Sequence, residues 1–388
     1  MKTVFIISGI GGMTGSQLAL ELSKRTDCTI VGFDNGFNCD IEAKRKQLNK
    51  INIEAFLGSA YDINSNDFLK KLESTIDQER SNYEDVVFIN CAAVVHTKHF
   101  YVPSETFDTN VNAMRNFLEI AIRVGAKTFI NCSTSEVYSS ESYVEGGVKE
   151  DAILKMYTAE HSQRTSYAFG KLMTEFFLKE AVNNGCIKGA SLRFANVYAT
   201  DETEPEHIIP KIIYDTLNGK IVKLCENAKH TRRTFLNNVD SCNAVIHLID
   251  NEQFLDGSAY NVGTETEYTI EELCQLVESV FNEENDNYAV DYEFSQPARS
   301  ADPERRLLNC EKLMKTGWKP QISLRSGIRD MVHFAINYVD ECERKAKEAK
   351  EAKEQFHGAS MPNGFPGMFA RMMGQGMEHI ATNPMDIE

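Results

Sequence analysis

The sequence predicts an α/β fold: a doubly wound parallel sheet with a smaller C-terminal α/β domain and an appended tail. Three observations carry that expectation. Short apolar runs alternate with amphipathic stretches through the first half of the chain, as successive βαβ units require. Gly9, Gly12 and Gly15 sit between the first apolar run and the first amphipathic stretch. Asp34 closes the second apolar run, about 20 residues beyond the last of those glycines.

Taken in order, residues 4–8 are the expected first strand and 17–25 the helix behind it. Residues 29–33, 53–57 and 86–90 read as strands two, three and four. A helix is expected over 110–123, ending at Gly125, where a left-handed C-cap is natural. Residues 128–132 read as strand five, 167–184 as a long helix and 190–194 as strand six. Past residue 200 the alternation loosens. Helices are expected over 208–217, before Gly219, and over 270–281, then a turn at Trp318-Lys319-Pro320 and a last helix from Leu324. Residues 1–190 should therefore form one domain, and 191–335 mainly a second with some return to the first sheet. Residues 336–388 read as a charged helix with i,i+4 pairs and a Met-, Gly- and Pro-containing tail.

A chain of 388 residues is long enough for this plan. No apolar run reaches the roughly 18–20 residues of a membrane span, and the N-terminus enters a strand-like segment that ends in glycines instead of a cleavage site. The expected compartment is the cytoplasm, with no membrane partner. The ten cysteines include no C-x-x-C pair, so no metal is expected and most should be small buried hydrophobes. A net charge of −16 argues against a nucleic-acid partner. Within that acidic chain Lys229, His230, Arg232 and Arg233 form a basic knot, suited to a small anion or to a solvated turn.

The three glycines have separable tasks. The first allows a tight turn, the second lets the backbone approach a pyrophosphate, and the third lets helix and strand pack closely. Met13 and Thr14 belong to the same phosphate-facing backbone, at a helix N-terminus whose amides attract anions. Ala92 and Ala93, just past strand four, are expected to line the same site. Asp34 can hydrogen-bond ribose hydroxyls and would repel the extra phosphate of NADP, so the pattern is a Rossmann-type site for NAD. Tyr167 and Lys171 lie one turn apart on a helix and share a face. A neighbouring ammonium and an oxidised nicotinamide ring both favour phenolate, bringing a phenol of ordinary pKa about 10 into range as a general base. Ser133-Thr134-Ser135-Glu136 follows strand five, at the carboxyl end where ligands bind in such sheets. Thr134 suits a hydrogen bond to a reacting hydroxyl; the alternative is that these residues cap the next turn.

Ser8 to Gly15, Asp34, Asn110, Ser133 to Tyr138, Tyr167 to Lys171 and Leu192 to Tyr198 resemble the extended short-chain dehydrogenase/reductases, in family order. Arg233-Thr234-Phe235, Tyr260 to Gly263, Arg299 to Arg306 and Gly317 to Pro320 continue the likeness, which spans roughly residues 1–335. The resemblance implies an NAD-dependent nucleotide-sugar epimerase or dehydratase working through a 4-keto-sugar, with a nucleotide sugar as substrate and a homodimer as assembly. It implies Tyr167 as catalytic base, Lys171 as the ligand of the nicotinamide ribose, and Thr134 as the hydroxyl that polarises the sugar. Asn110 matches a support for the lysine, and Ser135, Asn196, Arg233 and Arg299 match substrate contacts, the last three to the nucleotide diphosphate. Glu136, within Thr-Ser-Glu, matches a carboxylate that serves the step after oxidation in 4,6-dehydratases and uronate decarboxylases. Epimerase and dehydratase/decarboxylase readings both stand. Departures from the family pattern include Gly58-Ser59-Ala60, where an acid usually follows the glycine to hold adenine, Ser139, Ala199-Thr200 and Thr234.

A keto-sugar or carbonyl reductase, or a non-catalytic NAD-binding scaffold, is the alternative function. In the tail Phe365, Met368, Phe369, Met372 and Met373 recur at helical spacing, an apolar stripe suited to docking on a partner; the alternative is a disordered, solvated extension.

Overall fold

The computed structural model describes residues 2–37, 39–95, 102–138, 143–156, 158, 165–204, 206–283, 288–298 and 304–358. Ser139, Arg299 and the apolar stripe of the tail lie outside them. Seven parallel strands form the central sheet: β1 (Thr3–Ser8), β2 (Cys28–Asp34), β3 (Glu54–Leu57), β4 (Asp85–Asn90), β5 (Thr128–Thr134), β6 (Lys188–Phe194) and β7 (Asp256–Val262). Their spatial order is β7-β6-β5-β4-β1-β2-β3, so the chain winds one way from β1 and the other way from β4. A crevice opens at that reversal, beyond the carboxyl ends of β1 and β4.

The helices are α1 (Met13–Leu22), α2 (Ile41–Asn49), α3 (Asn66–Glu79), α4 (Pro103–Phe107), α5 (Ala113–Arg123), α6 (Thr165–Asn183), α7 (Ile208–Leu217), α8 (Asn238–Asp250), α9 (Ile270–Glu283) and α10 (Leu324–Gly358). Strand side chains alternate between two apolar layers, as the pleat dictates. Phe5 and Ile7 of β1 meet Leu18 and Leu22 of α1 and Val245 and Leu248 of α8. Val4 and Ile6 meet Met114, Phe117 and Ala121 of α5. Both faces are covered, which explains why the strands read as unbroken apolar runs.

Several boundaries differ from the expectation. Helix α1 starts at Met13 instead of Gln17, directly after Gly12. Strand β5 continues past Cys132 to Thr134, because Ser133 and Thr134 stay paired with Arg193 and Phe194 of β6. Asn110 lies in a π-helical turn, Asp108–Asn112, that precedes α5. Gly125 and Gly219 take the left-handed conformation that ends a helix, with φ of +66° and +63°. Helices α2, α3 and α8 and strand β7 were not anticipated; α2 fully buries only Leu48 and so carries no apolar stripe. Four cysteines (Cys132, Cys242, Cys274 and Cys310) are buried, so the expectation that most are core residues is corrected. Cys91, just past β4, and Cys39 instead line the crevice, while Cys186 and Cys342 are exposed.

Packing divides the chain into two units, Met1–Ala335 and Ile336–Glu388. In the second, Glu341 pairs with Lys345 and Arg344 with Glu348, at i,i+4 spacing on a helix. Among the described residues no helix is long and apolar enough to cross a membrane.

Helix α1 packs closely on the turn after β1 at Gly15. A Cβ there would lie 2.1 Å from the Gly9 carbonyl oxygen. Ala is the better helix former by about 1 kcal/mol, but a backbone clash this close outweighs it. Gly15→Ala is expected to destabilise the fold by about 1–3 kcal/mol, read from urea midpoints.

Candidate active site

The glycine turn forms one wall of a crevice of about 740 Å³. Gly9 has φ +73°, and a Cβ on it would meet the Ala92 amide nitrogen at 2.6 Å, so Ala92 and Ala93 form the facing wall. At Gly12 a Cβ would touch only the Gly9 oxygen, at 3.4 Å; its other sides are open, and Gly12 lines the crevice. No side chain caps α1 at Gly12, so the first-turn amides of Met13, Thr14 and Gly15 keep their anion-attracting character.

Asp34, at the end of β2, accepts hydrogen bonds from the Gly36 amide (2.8 Å) and the Gly11 amide (3.1 Å). Burial pushes its carboxyl up and those two amides pull it back. The acceptor is thereby fixed to the glycine turn that it serves. Beyond β3, Gly58-Ser59-Ala60 turns without an acid, yet the acid and its apolar neighbour follow: Asp62 and Ile63 line the crevice. Asp62 accepts from the Asn64 amide at 2.8 Å. The sequence reading stopped at Ala60 and missed this Asp-Ile pair. Asn110 is fully buried and bonds both backbone groups of Val94, accepting from its N–H at 2.7 Å and donating to its carbonyl at 3.2 Å. Its side chain therefore holds the crevice wall after β4.

A second group of ionisable side chains gathers where the end of β5 meets α6. Tyr167, on the first turn of α6, is buried and hydrogen-bonded to Thr134. Lys171, one turn on and also buried, donates to the Cys132 carbonyl of β5 at 2.9 Å. Burial pushes the Tyr167 phenol up, the Glu136 carboxylate pushes it further, and the Thr134 bond opposes them. Burial likewise pushes the Lys171 ammonium down. The expected lowering of the tyrosine by its lysine neighbour is thus overridden by desolvation.

The Glu136 amide donates to Thr134 Oγ1 at 3.2 Å, and its carboxylate is ion-paired with Arg306, a buried guanidinium far away in sequence. Sequence reasoning had Arg306 inside a motif and gave it no task. The Ser135 carbonyl, behind them, accepts from the Tyr143 hydroxyl at 3.3 Å. That phenol feels both Arg306 and Arg233, which puts Arg233 within electrostatic range of the same cluster. Arg233 donates to the carbonyls of Arg232 (2.9 Å) and Glu304 (3.2 Å), and Asn196 donates to the Thr234 carbonyl at 2.9 Å. The rest of the basic knot is spread out: Lys229 lies over the Phe294 ring and Arg232 is exposed.

A model of the NAD dependent epimerase/dehydratase family matches residues 5–263. The UDP-N-acetyl-alpha-D-glucosaminuronate decarboxylase of Bacillus cytotoxicus is 28% identical over 341 residues, 86% of this chain and 98% of that relative. UDP-glucuronic acid decarboxylase 1 of Arabidopsis thaliana is 26% identical over 333 residues, 84% of this chain and 68% of its own length. Among solved structures, the UDP-glucuronic acid 4-epimerase of Bacillus cereus, in complex with UDP-glucuronic acid and NAD, superposes with a TM-score of 0.71 at 18% identity. It covers 86% of this chain and 99% of its own, a likeness of fold.

Asp34→Asn keeps an acceptor for the Gly36 amide and removes the charge. The variant is expected to bind NAD more weakly, by about 1.5–3 kcal/mol, and to bind NADP relatively better. Calorimetric titration with both nucleotides measures this, and equal binding of the two by the unmodified protein would refute the assignment of Asp34.

Proposed function

The chain belongs to the NAD dependent epimerase/dehydratase family, and from that premise we propose that it oxidises C4 of a nucleotide-linked uronic acid and decarboxylates the 4-keto product. The glycine turn, Asp34, Ala92 and Ala93 would hold NAD, with Lys171 on its nicotinamide ribose; the open cradle at Gly12 and the uncapped start of α1 fit such a group. When bound, NAD supplies the hydride acceptor and donor. Tyr167 takes the proton of the C4 hydroxyl, and Thr134, bonded to it, orients that hydroxyl. Asn196 and Arg233 are the proposed contacts to the diphosphate.

One observation carries the choice of the second step: the Glu136–Arg306 ion pair beside Thr134 and Tyr167. A guanidinium matches a planar carboxylate in fork geometry. With C4 oxidised, a C5 carboxylate is β to a ketone. The bond from C5 to the carboxyl carbon breaks, carbon dioxide leaves, and its electron pair passes into the C4 carbonyl. A proton then returns to C5, and Glu136 is the proposed carrier. Epimerisation needs only hydride return to the other face and has no use for a proton carrier at C5. The two curated relatives, both decarboxylases of UDP-linked uronates, support the same choice.

The homodimer is part of the proposal. Phe107 on α4 and Phe169 and Phe176 on α6 are each more than half exposed, at 53%, 52% and 59%, on helices that pack together. Monomers rarely leave such patches uncovered.

Incubation with UDP-glucuronate should release carbon dioxide and yield the UDP-pentose, seen by mass spectrometry; a C4 epimer of unchanged mass would overturn the decarboxylase reading. Two variants separate the half-reactions. Tyr167→Phe should cut turnover by roughly 10²–10⁴-fold with NAD binding retained, whereas Glu136→Gln should still build up NADH absorbance without releasing product. For the assembly, Phe176→Asp should lower the mass seen by light scattering, and an unchanged dimer would rule out that face.

A further inference from the structure

A second buried ion pair lies behind the first, and the reaction as described makes no use of it. Glu175 on α6 and Arg193 on β6 are 7% and 6% exposed. Arg193 Nε and Nη2 donate to the two carboxylate oxygens at 3.0 and 2.6 Å, a fork geometry with little rotational freedom. The Ser133 hydroxyl donates to the same carboxylate at 2.5 Å. The remaining guanidinium nitrogen, Nη1, donates to the Tyr138 hydroxyl (2.5 Å) and the Glu150 carbonyl (3.1 Å). Tyr138 in turn donates to Asn261 of β7 at 2.8 Å. One guanidinium therefore ties together α6, β5, the turn that follows β5, and β7.

These attachment points adjoin the catalytic groups in sequence. Ser133 precedes Thr134, and Glu136 stands two positions before Tyr138. Glu175 lies one turn past Lys171 and two past Tyr167, on the same face of α6. Desolvation makes a buried ion pair a poor source of stability, and apolar side chains of similar volume would hold α6 on the sheet as well or better. What the pair adds is direction and charge. Lys171 is faced by the thiols of Cys132 and Cys91 from β5 and the end of β4, and by Tyr167 and Glu175 from its own helix. Burial disfavours the Lys171 ammonium; of the groups that favour it, Cys132 and Cys91 are thiols and Glu175 is the carboxylate.

We propose that the Glu175–Arg193 pair is a positioning element of the active site: it holds the Tyr167–Lys171 face of α6 against the Thr134 end of β5 and supplies the negative charge opposite Lys171. The inference rests on the proposed roles of Tyr167, Lys171 and Thr134.

The test uses the full chain and reads NAD affinity by calorimetry across pH, alongside turnover of UDP-glucuronate. In the unmodified protein NAD affinity should fall as pH rises through the Lys171 pKa. Glu175→Gln removes the anion, lowers that pKa, and should move the fall to lower pH, with kcat reduced by roughly ten- to a hundredfold through lost alignment. Glu175→Asp should return the fall toward its original pH. A folded Glu175→Gln protein whose NAD profile superimposes on the unmodified one would overturn the proposal and leave the pair a packing feature. If Glu175→Gln does not fold, Ser133→Ala takes its place, deleting one bond to the carboxylate and leaving the ion pair. It should lower kcat by at least severalfold with unchanged thermal stability, and an unchanged kcat would overturn the positioning role. Should the unmodified protein fail to turn over UDP-glucuronate, the substrate reading falls; the NAD profiles of Glu175→Gln and Glu175→Asp, or of Ser133→Ala where Glu175→Gln is unfolded, then decide the pair's role unaided.

Discussion

Backbone touches backbone where Gly15 packs on Gly9, and the cofactor side of the site depends on that contact. No side chain mediates it, because even a methyl group would sit 2.1 Å from a carbonyl oxygen. The approach lets α1 begin immediately after Gly12, so its amides open on the crevice. The same turn, at φ +73° in Gly9, runs hard against Ala92 and aims the Gly11 amide at Asp34. Strands β1, β2 and β4 are thus locked at their carboxyl ends by main-chain geometry. A ligand meeting this wall finds its donors and one acceptor already oriented, which is what preorganisation means for affinity.

The other side obeys a different constraint, the price of burying charge. Desolvation drives Tyr167 and Lys171 in opposite directions, and both toward neutrality. Two ion pairs answer this at the end of β5. Behind the site, Glu175 and Arg193 side chains are only 8% and 7% exposed and bind each other bidentately. In front, Arg306 is equally buried but its partner Glu136 is 20% exposed. Removing one partner of the rear pair strands a charge in the interior. The front pair borders Thr134 and Tyr167, and its carboxylate reaches solvent where the rear one does not. The geometry therefore separates an enclosed pair from one that opens to solvent on its carboxylate side.

What the sequence revealed follows the range over which each feature is encoded. The glycine turn, Asp34 and the Tyr167–Lys171 spacing are local patterns whose meaning comes from one turn or one helix face; the structure fixes Asp34 to the glycine turn and Tyr167 to Thr134. Glu136 with Arg306, and Glu175 with Arg193, are pairings of distant segments that no periodicity announces. Asn110 was identified by type but its partner was not, since Val94 approaches it only once β4 and the π-turn are packed. Asp62 and Ile63 were within reach: an acid followed by an apolar residue just past β3 was visible, displaced by the short turn Ser59–Tyr61. Helix α2 escaped because its polar surface leaves no stripe to read, and its one local signal, Asp40 capping Ala43, is a single residue.

The two-residue extension of β5 shows how a small boundary difference acquires chemical weight. Had the strand ended at Cys132, the residues after it would have been loop, free to choose partners. As built, Ser133 and Thr134 remain in register with Arg193 and Phe194. Successive residues are then dealt to different partners: the Cys132 carbonyl to Lys171, the Ser133 hydroxyl to Glu175, the Thr134 hydroxyl to Tyr167, and, past the strand, the Glu136 carboxylate to Arg306. Each partner comes from a segment whose position the sheet or α6 already controls. A rigid strand end sets the spacing of four interactions at once, and sites built on strands hold their geometry better than sites built on loops. Thr134, Tyr167 and Lys171 are accordingly brought together by regular elements, the paired strands β5 and β6 and the first turns of α6.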